Sequence, residues 1–143
     1  MDRPTVWRQI KANSVALISL FLALTSLGYI TWRNETSEVN RNTRIAAFEV
    51  LKNLGELQMV VNYAFYEHDN QLGNPFAGWG RVLLIRDLSR LLPDPAPQAA
   101  ERLAQVWQAE SKSIQVDENS VDRITAEIDA DRQTLLVILA RLK

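Results

Sequence analysis

Cysteine is absent, histidine occurs once, and glycine and proline number only five each in 143 residues. Without cysteine there is no disulfide scaffold, no thiol nucleophile and no thiolate zinc cage. The missing thiols do not assign a compartment, because a chain of this size can build its core without disulfides. The single imidazole, His68, has Glu67 and Asp69 as neighbours. On a helix these two point about 100° to either side of it, which is poor geometry for joint ligation. His68 therefore reads as a polar helix-end residue, with a metal or proton-switch role as the alternative. The sequences HExxH, GxxxxGK[ST] and GxSxG do not occur, so no zinc helix, phosphate loop or nucleophile elbow is present. No cofactor and no metal site is expected.

Neither sign of charge is in excess: 16 Lys+Arg stand against 17 Asp+Glu. That balance excludes the basic footprint of a nucleic-acid-binding protein. No stretch after residue 33 alternates with the period of two that a half-buried strand requires. The expected fold is all-α: one N-terminal transmembrane helix followed by a small three- to four-helix bundle.

What is present in abundance is an apolar run. Residues 12–32 carry no charge and are bounded by Lys11 and Arg33. As a helix they cover about 31 Å, close to the ~30 Å hydrocarbon thickness of a bilayer. Two readings compete: a buried helix of a soluble core, which rarely runs over about 18 residues without a charge, and a cleavable signal peptide, with Ser26 and Gly28 as small residues near a cut. Against it, the apolar run continues through Tyr29, Ile30 and Trp32. Trp7, Tyr29 and Trp32 stand where interfacial aromatic anchors belong. Asp2 and Pro4 have the form of a cap and first-turn proline before the span. The short leading segment, residues 1–11, holds Arg3, Arg8 and Lys11. By the positive-inside rule it is assigned to the cytoplasm, which puts the following domain in a periplasm or outside the cell. Within the span Ala16, Ser19, Ala23 and Ser26 recur at steps of 3, 4 and 3, a small-residue seam along which two helices can approach.

Residues 33–46 form the next block, a polar helical stalk. Its first twelve residues hold one large apolar side chain, Val39, and neither proline nor glycine. A helix polar on all sides is a solvated spacer or meets a partner. The remainder, residues 47–143, is read as the bundle. Ala47, Val50, Leu54, Leu57, Val61 and Ala64 alternate steps of 3 and 4, with Phe48, Leu51 and Phe65 broadening the stripe. Met59, Val60, Tyr63 and Tyr66 then make the helix apolar on nearly every side, the mark of full burial or of a second, shared surface. Gly55 hints at a close helix contact. The run 70–80, with three glycines and Asn74-Pro75, reads as a turn that ends the helix and displays or plugs Phe76 and Trp79. A short helix over 81–92 follows, with Leu84, Ile85, Leu88, Leu91 and Leu92 inward, then a proline corner. A third helix spans about 98–116 with Ala99, Ala100, Leu103, Val106, Trp107 and Ile114 inside. A fourth starts near Ser120 with Val121, Ile124, Ile128, Leu135, Ile138 and Leu142 inside. Its acids Asp122, Glu127, Asp129 and Asp131 precede its basic residues, matching the helix dipole.

Three functional classes fit this pattern. The first is a non-catalytic interaction module or accessory subunit of a membrane assembly. Leu57, Val60, Tyr63, Tyr66, Phe76 and Trp79 would bind another membrane protein or a second copy, and the span would sit in the lipid bilayer. The second is an extracytoplasmic small-molecule sensor in which Arg81, Arg86 and Arg90, near Tyr63, Tyr66 and Trp107, receive a carboxylate. The third is a cytoplasm-facing anchored domain or an enzyme centred on His68. The first accounts for the most features and is the expectation carried forward.

Overall fold

The computed structural model of the protein describes residues 13–142. Among these residues there are four helices and no strand: α1 (Ser14–Phe65), α2 (Pro75–Ser89), α3 (Ala96–Glu110) and α4 (Glu118–Arg141). The basic leading segment, with Asp2, Pro4 and Trp7, lies outside the described residues. The chain divides into two compact units, the first ending at Val39 and the second beginning at Asn40.

In the first unit, α1 carries no charge as far as Trp32, and none of its apolar window is buried against protein. It is the one helix among the described residues long and apolar enough to cross a membrane. Two of its hydroxyls are turned back on the helix itself: Thr25 Oγ1 donates to the Phe21 carbonyl at 2.8 Å and Thr31 Oγ1 to the Leu27 carbonyl at 2.9 Å. Such back-bonding satisfies these two hydroxyls within the helix. Tyr29 and Trp32 stand together, ring centres 6.4 Å apart.

The second unit is the bundle, in which α3 packs between α2 and α4. From α1 the core takes Ala47, Val50, Leu54, Leu57, Val61 and Ala64, all fully buried as their spacing requires. Val82 and Ile85 of α2, Leu103 and Trp107 of α3, and Ile124, Ile128 and Leu135 of α4 close around them. α4 runs antiparallel to this part of α1: Gln58 Nε2 donates to Thr125 Oγ1 at 3.2 Å, and Arg44 Nη2 to the Leu142 carbonyl at 2.8 Å. The end of α4 thus covers the end of the expected stalk. Thr43 and Ala46 are buried, so residues 40–46 belong to the bundle rather than to a helix solvated on all sides.

The turn expected over 70–80 is half helix. Asn74 caps α2, its Oδ1 accepting from the Phe76 N–H at 2.9 Å, with Pro75 in the first turn. An Asn-Pro pair that reads as a turn is equally the start of a helix, because an N-terminal proline loses no helical hydrogen bond. Starting six residues earlier sets the helix phase, and the buried positions are Gly78, Val82, Ile85 and Ser89, with Leu92 just beyond. Leu84 and Leu91, expected inside, are exposed. The glycines explain the choice. A Cβ on Gly78 would run into the Trp107 indole, and one on Gly73 into the backbone of Ala64. Small residues bring α2 onto Trp107 where leucine would hold it off. Gly55, expected at a helix contact, has open space at its Cβ position. Phe48, expected to widen the core stripe, is 60% exposed.

α3 stops at Glu110, six residues before the end expected, and residues 111–116 form turns that still bury Ile114. The stop is fastened electrostatically. Arg123 holds both Glu110 carboxylate oxygens at 2.8 Å, and Ser120 Oγ, with one proton to give, lies 2.8 Å from Glu110 Oε2 and 2.7 Å from Asp117 Oδ2. The Arg123 hydrogen bonds keep the Glu110 carboxyl below its ordinary pKa, and the Ser120 hydroxyl does the same for Asp117.

Candidate interaction surface

The residues expected to bind a partner separate into three groups. Leu57 is fully buried and Val60 nearly so; both belong to the core and offer nothing to a partner. Trp79 is half-buried and packs against that core. Tyr63 is half-buried, while Tyr66 and Phe76 stand 66% and 84% exposed. Met59 and Leu72, outside that expected set, are also more than half exposed. They could be found in the sequence: Met59 and Tyr66 are one heptad apart on the side of α1 away from the Leu54 and Val61 stripe.

These side chains gather at the end of the bundle that carries two connections. Gln115 Nε2 of the α3–α4 connection donates to Asn70 Oδ1 of the α1–α2 connection at 2.9 Å. One hollow of about 480 Å³ is lined by Met59, Asn62, Tyr63, Tyr66 and Glu67. A neighbour of about 270 Å³ shares Met59 and Tyr63 and reaches Leu72, Ala77 and Arg81. A third, of about 260 Å³, lies under Phe76 and Trp79, with Lys112 on its rim. All three are open at the surface. Tyr66 is held edge-on against Phe65, ring centres 5.0 Å apart, which fixes an amphipathic ring at low entropic cost.

Two polar side chains around these hollows, Asn62 and Arg81, are committed to structure. Asn62 Oδ1 accepts from Gln58. Arg81 lies 2.7 Å from Glu56 and donates to Asn53 Oδ1 at 3.2 Å. Trp107, grouped with the tyrosines in the sensor reading, is instead in the core against Gly78. His68 has φ of 50°, a left-handed residue at the end of α1. The next N–H, of Asp69, turns back to the Tyr63 carbonyl at 3.0 Å. The Asp69 carboxylate accepts the N–H groups of Gln71 and Leu72 at 2.8 and 2.9 Å. The trio 67–69 thus shapes a helix end. Among the described residues no group of three or more His, Cys, Asp or Glu side chains is placed to hold a metal ion.

One charged group lies far from this surface. Asp131 of α4 is 1% exposed, and neither carboxylate oxygen has a hydrogen-bond partner in the protein. Burial pushes its pKa up to about 7, with Arg102 opposing the rise and Glu127 adding to it. Its placement among the early acids of α4 was a reading of charge order. Its position three residues after Ile128 and four before Leu135 puts it in the buried stripe.

The molecule is thus a helical bundle with one helix apolar enough to span a membrane and an exposed aromatic surface at one end. Comparison with family models, with curated proteins and with solved structures gives no match.

Proposed function

We propose that the protein is a single-pass membrane-anchored, non-catalytic interaction module, an accessory subunit of a membrane assembly. Its docking surface is formed by Met59, Tyr63, Tyr66, Leu72 and Phe76. The observation that carries this reading is the clustering of exposed large apolar side chains around shallow hollows whose one arginine, Arg81, is already paired with Glu56. Amphipathic tyrosines and methionine on a rigid helix supply contact area with little ordering cost, the make-up of a binding patch. An open hollow whose arginine is already held by Glu56 and Asn53 suits a protein partner better than a small acid.

Tyr66→Glu and Phe76→Glu alter exposed side chains and should leave helicity unchanged by circular dichroism. Both should release the partner that co-purifies with the intact chain in mild detergent. Retention of every partner by the doubly substituted chain would remove the support for this surface.

The anchor is residues 12–32, left uncleaved, with the N-terminus in the cytoplasm. Arg3, Arg8 and Lys11 concentrated in eleven residues support that orientation. The cysteine-free chain makes the topology easy to read. A thiol introduced by Gln108→Cys, on the exposed side of α3, should react in whole cells with a membrane-impermeant reagent once any outer membrane is permeabilised. Labelling only after lysis of the inner membrane would reverse the assignment.

A further inference from the structure

We infer that two copies of this chain pair side by side, in parallel, along the outer face of the bundle part of α1. This goes beyond the docking surface above, and it rests on the anchored reading, because a shared membrane gives all copies one orientation. On that face Ile45, Phe48, Lys52, Gly55 and Met59 recur at steps of 3, 4, 3 and 4. Ile45, Phe48 and Met59 are each more than half exposed, and Gly55 has open space at its Cβ position.

The stripe is bounded on both flanks by the rest of the bundle. α2 is tied to one flank through Arg81 with Glu56 and Asn53, and α4 to the other through Thr125 with Gln58. What is left between them repeats every 3.5 residues. That spacing keeps the stripe on one side of α1 over two heptads, where a second helix can lie along it. Gly55 lets the partner helix come close.

Charge identifies the partner as a second copy. In a parallel, in-register pair the positions flanking the seam meet five residues apart. Arg44 of one protomer then faces Glu49 of the partner subunit, and the two-fold axis makes the same pair again. Arg44 and Glu49 are both exposed, and the guanidinium has donors beyond the one given to Leu142. Lys52 falls on the seam opposite its own copy. A charged residue at one such position weakens the pair and fixes its register, while the long stem lies along the apolar stripe and lifts the ammonium to solvent. Two heptads give a weak contact by themselves. Confinement of both anchors to one bilayer raises the effective concentration enough for such a contact to form.

Single cysteines in the full-length chain, cross-linked by mild oxidation in native membranes, test the pairing. Lys52→Cys and Gly55→Cys should give a disulfide-linked dimer of this chain, several-fold more than Gln108→Cys on α3. Adding Phe48→Glu to Lys52→Cys should abolish the dimer, with circular dichroism confirming the fold and Phe76→Glu, on α2 and off the stripe, serving as a substitution that leaves the dimer intact. Lys52→Cys yielding no more dimer than Gln108→Cys would overturn the inference. So would an adduct of Lys52→Cys with a different protein, an outcome that leaves the interaction-module reading standing. Loss of co-purifying partners in Phe76→Glu, with the Lys52 dimer retained, would support both.

Discussion

Asp131→Asn is expected to stabilise the bundle at pH 8 by up to about 4 kcal/mol, an advantage that shrinks steadily as the pH is lowered and is gone by about pH 4. The parent carboxyl is buried without a hydrogen-bond partner, and its pKa stands at about 7 against an ordinary 3.8. In the unfolded chain it releases its proton near pH 3.8; in the folded chain it keeps the proton until about pH 7. Between those values the folded state binds more protons than the unfolded one. Stability from this group is therefore fully present below pH 3.8 and is lost as pH rises through 7. Asparagine has the shape of the protonated acid and does not ionise, so the variant escapes the loss. Urea unfolding of parent and variant, compared from pH 5 to pH 8, reads the difference with the other carboxylates cancelling. A constant difference across that range would show that Asp131 ionises normally in the folded protein. Asp131→Leu should share the high-pH gain, because an apolar side chain of similar volume needs no partner in the core.

Leu54→Ala should act in the opposite direction, lowering stability by about 2 to 5 kcal/mol. Leu54 is fully buried near the middle of the α1 stripe, with Val50 and Leu57 beside it on the same face. Removing three methyl or methylene carbons forfeits their transfer from water, roughly 0.8 kcal/mol each, and leaves a cavity that helices pinned at both ends close only in part. The α1–α4 hydrogen bonds at Gln58 and Arg44 lie on either side of Leu54 and resist collapse of the gap. Phe48→Ala on the exposed face is the control, with an expected change within about 0.5 kcal/mol in the monomer. A Leu54→Ala chain that unfolds at the parent's urea concentration would take that face of α1 out of the core.

The α1, α3 and α4 cores could be read from spacing because each buries one stripe of aliphatic residues at 3.6-residue intervals, and nothing but a helix aligns Val50, Leu54, Leu57 and Val61. The apolar span was equally plain, since its length and freedom from charge are properties of the chain itself. The all-helical class followed from those patterns together with the lack of any two-residue alternation. Tertiary structure decided the points where small or polar residues occupy the core. Gly78 and Ser89 carry no apolar signal, yet they set the face of α2, because closeness to Trp107 outweighs the area that Leu84 and Leu91 would have buried. Asp131 lies in the stripe of α4 although its type argues for solvent, and only the packing of α4 shows that its charge has no partner. The partner surface divides for the same reason. Sequence marks residues 57–66 as apolar on every side, but the positions of α2 and α4 around α1 determine that Leu57 and Val60 are interior. Met59 and Tyr66 are left facing outward.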